Sequence, residues 1–409
     1  MHQYVRGASW TLAALFVGAA LAQPQTGNPS LRAAFDAAWE RQPEARSFAS
    51  RREAALAAGR VAGHFTAQPP SVSVSTRSGR FTRDRGQREY EAGIALPLWL
   101  PGEQERAQAL AASEVESAGG RAAGARLRTA GAVREAYWAW QRARIDRDVS
   151  MRRLESARLL ATDVARRVAA GDLARADSHQ AQGAAAAAEA TLAEADSALS
   201  VSAQVLRALT GAEPAALASA TPEPAPTDTN GAAPHAAFAE LAARQYVAQR
   251  ALELAEIQHR GNPELSFGSA RERGAFGDTY ETTLLVGVRV PFGSNDRRDA
   301  RVAQARAELQ EVSAELALLR LRLDAALAAA RDRLQGAGIQ LTAAERRAAL
   351  AMESRGFFER AFRLGESDLP TRLRVELEAG EAERAAARAR VDLAAATSQL
   401  RQSLGLLPE

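Results

Sequence analysis

Apolar and polar residues alternate most clearly in the second half of the chain. From Tyr280 to Phe292, residues that are apolar or aromatic except for Thr282 alternate with a mixed set of polar, small and proline residues that includes Leu285. This period of two predicts a β-strand with one face in an apolar medium. Shorter or weaker alternations predict three more strands, at 71–76, 89–96 and 265–268. The polar segments between the strands of each pair are predicted to be exposed hairpin loops on the cell-surface side: 79–88 and 271–278.

A long helical pattern follows each pair of strands. From Gly102 to Val168 the chain has no Pro and consists mainly of strong helix formers. At ~1.5 Å per residue such a helix reaches ~100 Å, several times a membrane thickness, so it must project away from a membrane. Gly119, Gly120, Gly124 and Gly131 are predicted to weaken or bend it. The second helix carries a coiled-coil stripe, which we interpret as core: Leu309, Val312, Leu316, Leu319, Leu323, Leu327, Ala330 and Leu334.

The chain contains an internal repeat. Four pairs of motifs share an offset of 194 residues (262 − 68 = 194), and a fifth pair, at Ala107 and Ala303, is shifted by two more. We therefore divide the chain into a signal peptide (1–22), a first repeat (23–211), a linker (212–234) and a second repeat (235–409). Each repeat reads as helix, β-hairpin and long helical hairpin. The Pro- and Ala-rich linker is predicted to be extended, with no stable core.

The beginning of the chain predicts export. An apolar run from Trp10 to Ala19 precedes Ala20-Leu21-Ala22, which is typical of a signal peptide with a cleavage site near Ala22. The run is shorter than the ~20 residues that a spanning helix needs. The chain has no Cys, which excludes disulfides, thiolate metal sites and a lipoprotein anchor. Basic and acidic residues nearly balance, at 52 and 49, and they alternate, so nucleic-acid binding is not predicted.

Four strands are too few to close a membrane sheet within one chain. Open strand edges cannot face lipid, and single-chain barrels begin at ~8 strands. Two chains would supply eight strands and three would supply twelve, so the sequence requires an oligomer without fixing its number.

The candidate chemistry is sparse. The five histidines, His2, His64, His179, His235 and His259, are not at metal-ligand spacing from one another. No Ser-His-Asp constellation, phosphate-binding loop or dinucleotide motif occurs in the sequence. We therefore predict a protein that is not an enzyme and has no cofactor and no metal site.

Several short motifs occur in a fixed order, and some occur in both repeats. They are Gln42-Pro43-Glu44, Asn262–Leu265, Ile94–Gly102, Val288–Gly293 and Leu364–Leu369. Their order and duplication resemble the TolC family of outer-membrane efflux ducts over nearly the whole mature chain. Val290–Arg298 is most similar to the heavy-metal (cobalt–zinc–cadmium) efflux branch, although the usual Pro-Leu-Phe form is shortened here.

The resemblance implies a fold that is mainly α with a small β part. It implies a homotrimer, with twelve strands forming a β-barrel among outer-membrane lipids and a twelve-helix coiled-coil tunnel extending into the periplasm. The function implied is that of a passive conduit for metal cations or small toxic compounds. Its partners would be a periplasmic adaptor (membrane fusion protein) and an inner-membrane pump of the RND type. A periplasmic adaptor or coiled-coil scaffold is the alternative, but an adaptor normally has a single helical hairpin.

Two glycine turns are the candidate site. By the resemblance they form the periplasmic tip, where Glu366, Asp368 and Asp172 would form a gate that selects cations. Asp368 alternatively caps the helix that begins at Leu369, with Pro370 in its first turn, and both roles can hold together. The turns would also dock the adaptor, through Gly171, Leu173, Gly365, Ser367 and Leu369. Trp99 suits either a membrane-interface belt or internal packing.

Overall fold

The computed structural model describes residues 30–81, 85–217, 222–227, 234–293 and 296–409. The predicted signal peptide and part of the predicted linker lie outside these residues. The fold is mainly helical with one small antiparallel sheet, as predicted. The elements in chain order are α1 Leu31–Arg41, α2 Pro43–Ala62, β1 Ser71–Ser78, β2 Arg88–Pro97, α3 Glu103–Ala170, α4 Arg175–Thr210, α5 Ala236–Ile257, β3 Glu264–Arg273, β4 Glu281–Arg289, α6 Asp296–Leu364 and α7 Leu369–Ser403.

The four strands form one sheet in the order β1-β2-β3-β4, with every pair antiparallel. Ile94 lies opposite Phe267, which lies opposite Val286, so the apolar residues of neighbouring strands share one face. Several strand boundaries differ from the sequence predictions. Strand β4 ends at Arg289 rather than near Phe292. Residues 271–273, predicted as loop, continue β3 because the backbone of β2 pairs with them, and backbone pairing does not need an apolar side chain.

Trp99 lies just after the sheet and is half-buried. Its indole N–H donates a hydrogen bond to the carbonyl of His64, at 2.9 Å. The Nε2 amide of Gln104 donates to the same carbonyl, at 3.0 Å. These contacts give Trp99 a packing role, in which it ties the end of β2 to the end of α2.

The two longest helices, α3 with 68 residues and α6 with 69, run without interruption. Each turns back into a helix about half as long, α4 with 36 residues and α7 with 35. Gly120 and Gly124 do not interrupt α3; they lie against α5. A Cβ at Gly120 would lie 3.3 Å from the Glu240 Cα, so this glycine permits the two helices to pack closely. No described helix is both long and apolar enough to cross a membrane.

The main core lies where α1, α3, α4 and α7 meet. Its aromatic centre is on α3, where the rings of Tyr137 and Trp138 meet edge to face at 4.8 Å. The Trp138 indole N–H donates to the Ser398 hydroxyl at 2.9 Å, and the Gln141 amide donates to the Tyr137 hydroxyl at 2.8 Å. Burial raises the pKa of Tyr137. Both polar tips are therefore satisfied inside the core, as buried polar groups require.

The coiled-coil stripe on α6 is less buried than predicted. Within a single chain only Val312 and Ala330 of this stripe are buried, and its leucines are half-buried. Further along the helix, Leu321 and Ile339 are largely exposed. The stripe is therefore only partly covered by α5 and α7 of the same chain.

The predicted linker has a fixed contact with the helices, contrary to the expectation that it lacks a core. Pro214 and Leu217 are buried, and so is the carboxylate of Glu223. Arg134 of α3 donates two hydrogen bonds to this carboxylate, at 2.9 and 2.6 Å. Arg401 of α7 lies 3.3 Å from it. Composition did not show that residues 214–217 would form a short 3-10 helix or that a single acidic residue would be buried between two arginines.

Candidate functional site

The two helical hairpins end in turns of the same geometry. Gly171 and Gly365 adopt left-handed backbone conformations, with φ of 87° and 79°. The N–H of Asp172 donates to the Arg167 carbonyl at 2.8 Å, and the N–H of Glu366 donates to the Ala361 carbonyl at 2.9 Å. These bonds satisfy the last carbonyls of α3 and α6, and glycine is favoured at the turn because it has no Cβ.

An aspartate caps the helix that leaves each turn. The Asp368 Oδ1 accepts the backbone N–H of Thr371 at 3.1 Å, so Asp368 is the N-cap of α7. Hydrogen bonds from Thr371 lower the pKa of Asp368. In the first turn the capping carboxylate is that of Asp177, which accepts the N–H of Ala174 at 3.0 Å. The sequence predicted the cap at Asp368 but missed Asp177, because the residue at the start of α4 is an alanine rather than a typical N-cap.

The other two acidic residues of the turns are not engaged in this way. Asp172 and Glu366 are exposed, and within the described tips neither carboxylate has a hydrogen-bond or ion-pair partner. Ser367 is half-buried beside them. The three predicted gate residues therefore differ: Asp368 is fixed by its helix, whereas Asp172 and Glu366 are free to face solvent or a partner.

A small core joins the two tips. Phe362 of α6 is 2 % exposed and packs with Leu369 of α7 and with Leu160 and Val164 of α3. Leu369 is likewise 2 % exposed, and Leu173 is half-buried against the same cluster. The two leucines predicted for docking therefore lie beneath the turns and support them.

Arg167 adds a polar link between the hairpins. From α3 its guanidinium donates to the Phe362 carbonyl at 3.1 Å and to the Arg363 carbonyl at 3.4 Å, both at the C-terminus of α6. It also lies 5.0 Å from the centre of the Phe362 ring, and Arg372 lies 5.2 Å from that ring. A cation at a helix C-terminus complements the helix dipole. The sequence did not reveal this role, because the helix end that Arg167 caps is almost 200 residues away in the chain.

Above the tips, a groove of 380 Å³ lies between the hairpins. It has an apolar floor that includes Leu160 and Leu373, and a charged rim. The charged residues of the rim are Arg153, Arg167, Arg355, Arg363, Arg372, Asp163, Glu359 and Glu376. Arginines outnumber carboxylates in this set, five to three, so the rim carries a net positive charge. Among the described residues, no group of three or more His, Asp or Glu side chains is arranged to hold a metal ion.

Residues 34–212 match the model of the outer membrane efflux protein family. The match runs from α1 through the sheet strands β1 and β2 to the end of α4 and so includes the first tip. The chain is similar to this family over that part, which is less than half of its length. The proteins of this family are channels, not enzymes, as the sequence predicted. No curated protein sequence matches the chain.

The whole fold is similar to solved outer-membrane channels. The protein VceC from Vibrio cholerae aligns with a TM-score of 0.74 at 17 % identity, over 92 % of this chain and 96 % of that one. CmeC from Campylobacter jejuni aligns with a TM-score of 0.74 at 12 % identity, over 99 % and 94 %. The open state of MtrE from Neisseria gonorrhoeae aligns with a TM-score of 0.70 at 16 % identity, over 92 % and 89 %. These likenesses confirm the TolC-like fold, and with the family match they favour an efflux channel over the adaptor alternative.

Proposed function

We propose that this chain is the outer-membrane channel subunit of a tripartite efflux system and works as a homotrimer. Its cargo would be metal cations or small toxic compounds, delivered by a periplasmic adaptor and an inner-membrane pump. The observation that carries the proposal is the sheet: it has one apolar face, two unpaired edges and a direct connection to helices of ~100 Å.

The two faces of the sheet differ sharply. On one face the side chains of Leu284 and Val286 are 82 % and 71 % exposed, and Val72, Val74 and Val288 are similarly open. The other face carries serines, glycines and charged residues, including Ser73, Gly93 and Ser266. Such a large apolar face in one chain needs a cover. Lipid on one side and water on the other account for the alternation.

The sheet edges support association. Within the described chain, β1 and β4 each have a strand on one side only. An unpaired edge in an apolar medium is costly because its N–H and C=O groups have no partner. Three copies joined edge to edge supply twelve strands and leave no edge, which agrees with the trimer implied by the sequence resemblance. The partly covered stripe on α6 supports the same association along the helices.

The tips support a gate at the far end of the helices. We propose that the duct is closed at rest because Phe362 and Arg167 hold the two hairpins of each chain together. Docking of the adaptor in the groove beside Arg363 and Arg372 would displace these contacts and open the tip. Gly171, Gly365 and Ser367 would provide the exposed backbone for docking, with Leu173 and Leu369 supporting the turns. Asp172 and Glu366, repeated by threefold symmetry, would favour cations at the entrance.

Planar-bilayer recording of the purified full chain tests the gate. Arg167→Gln removes the contacts with the carbonyls of α6, and we expect a larger mean conductance and a greater fraction of open time. Arg166→Gln is the matched control, because the Arg166 side chain is largely exposed and forms an ion pair with Asp163 of the same helix. Equal conductance of Arg167→Gln and the control would contradict the role of Arg167.

The proposed cation selectivity of Asp172 and Glu366 is tested in a separate experiment. Asp172→Asn with Glu366→Gln removes the two uncapped carboxylates and leaves the α7 cap intact. We expect a reduced cation preference, read from the reversal potential in a salt gradient, with no loss of thermal stability. An unchanged reversal potential would refute the carboxylate ring, and failure of the unaltered chain to form conducting trimers would refute the proposed function itself.

A further inference from the structure

Charges at the loop end of the sheet are sorted by face. Glu89 lies opposite Glu272, which lies opposite Glu281, so three carboxylates share the polar face. The two residue pairs that flank Glu89 and Glu272 are Tyr90 opposite Arg271 and Arg88 opposite Arg273. These arginines share the apolar face with Phe267 and Val286, because residues two apart in a strand point to the same side. The carboxylates therefore lie on the polar face, where Arg77 pairs with Glu89, whereas the apolar face carries arginines at the same level.

Aromatic rings position two of these arginines. The Arg271 and Arg273 guanidinium carbons lie 4.9 and 5.2 Å from the centre of the Tyr280 ring. The Tyr90 ring lies 6.4 Å from that of Tyr280, and Phe276 lies 5.8 Å from Arg273. Stacking on a ring occupies the flat side of a guanidinium and leaves its N–H edge able to bind an anion. We call Arg271, Arg273 and Tyr280 the arginine rim.

The rim lacks an internal counter-charge. Within the part of the chain that the structure describes, no carboxylate lies within 4.0 Å of the Arg271 or Arg273 guanidinium nitrogens. The Arg273 Nε donates to the Gly86 carbonyl at 3.0 Å, which fixes the side chain without neutralising it. An anion at this position would supply the counter-charge that Arg271 and Arg273 lack among the described residues.

We propose that the arginine rim binds the phosphate groups of lipid headgroups in the leaflet around the loop end of the sheet. This inference rests on the proposed membrane location. Phe267 is four residues from Arg271 along β3, or ~13 Å at ~3.3 Å per residue, which is the distance from the headgroup region into the acyl chains. Arginine forks match phosphate oxygens in a bidentate way, and tyrosines are typical of membrane interfaces. The rim thus lies where an apolar face ends and phosphate begins.

Native mass spectrometry of the full-length trimer in nonionic detergent tests the proposal. The probe is a bis-phosphorylated glucosamine-based lipid, compared with its dephosphorylated form at equal concentration. Arg271→Gln should weaken binding of the phosphorylated lipid about tenfold, since a hydrogen bond to a charged group is worth about a decade of affinity. Arg77→Gln is the matched control, because Arg77 lies at the same level on the polar face, paired with Glu89 at 3.0 Å.

The outcomes separate the possible explanations. The proposal is supported if the unaltered chain and Arg77→Gln prefer the phosphorylated lipid, Arg271→Gln does not, and inorganic phosphate fails to compete. Equal binding of both lipids, or equal loss in both variants, would overturn it. Competition by inorganic phosphate would also overturn it, since the rim would then be a general anion site. Trimers that conduct but show no lipid preference would reject the rim alone, whereas a chain that neither assembles nor conducts would reject the proposed function.

Discussion

The sharpest stability prediction concerns Glu223, which lies between two buried arginines. The Arg134 and Arg401 side chains are 4 % and 3 % exposed, and that of Glu223 is 1 % exposed. Arg134 keeps the Gln402 amide oxygen at 2.6 Å and the Leu406 carbonyl at 3.0 Å if Glu223 is removed. Arg401 keeps the Pro224 carbonyl and the Glu409 carboxylate. Arg401 thus retains a carboxylate partner, whereas the remaining partners of Arg134 are neutral, so the loss of Glu223 leaves the buried Arg134 without a counter-charge.

We therefore expect Glu223→Ala to lower the free energy of unfolding by about 3–5 kcal/mol, the usual cost of leaving a buried ion unpaired. Glu223→Gln keeps an acceptor but not the charge, so its cost should be about 1–3 kcal/mol. The control is Asp36→Ala, whose partner Arg32 is at 3.0 Å but whose pair is half exposed on both sides. An exposed pair of this kind contributes about 0–1 kcal/mol.

Chemical denaturation of the detergent-solubilised protein, followed by far-ultraviolet circular dichroism, measures these differences. Hydrogen exchange of residues 222–227 gives a local readout that does not depend on dissociation of an oligomer. In the unaltered chain this segment should be protected from exchange, and in Glu223→Ala it should exchange rapidly. If Glu223→Ala costs no more than Asp36→Ala, or if the segment exchanges equally fast in both, the buried pair does not anchor the segment and the reasoning fails.

Two further predictions follow from the tip and the sheet. Asp368→Ala should destabilise α7 at neutral pH, because it removes the N-cap. Since the pKa of Asp368 is lowered in the folded protein, the difference in stability from the unaltered chain should persist above about pH 4 and vanish as the pH falls through the lowered pKa. Thermal unfolding at a series of pH values measures this difference. Val286→Arg puts a charge on the exposed apolar face and should cost about 2–4 kcal/mol in lipid, read as loss of assembly in vesicles, whereas Thr283→Arg on the polar face should assemble normally.

Regular elements could be predicted from the sequence because they depend on local spacing. The alternation at Tyr280–Phe292 predicted β4, and the long run without Pro after Gly102 predicted α3. The end of β3 was missed because polar residues pair through their backbone, which leaves no hydropathy signal. Glycines in α3 were misread as weak points because a sequence does not show which helix packs against them.

The missed site residues have one cause in common. Arg167 contacts α6 from a position 195 residues earlier, and Glu223 contacts Arg134 from 89 residues later. Arginine and glutamate are abundant on every helix of this chain, so no spacing rule selects the few that meet. The cap at Asp368 was predictable because its partner, Thr371, is three residues away.

The sequence left two roles for Asp368, helix cap and entrance gate, and the structure gives a physical reason why they are compatible. A carboxylate that accepts a backbone N–H must be ionised to be most effective, and the hydrogen bonds that fix it also lower its pKa. Capping therefore keeps the charge in place under more acidic conditions. In the proposed trimer, Asp368 would supply a fixed negative charge at the tip, while the uncapped Glu366 beside it would remain able to move. A channel that must stay cation-selective when the periplasm becomes acidic would gain from this division between one rigid and one mobile carboxylate.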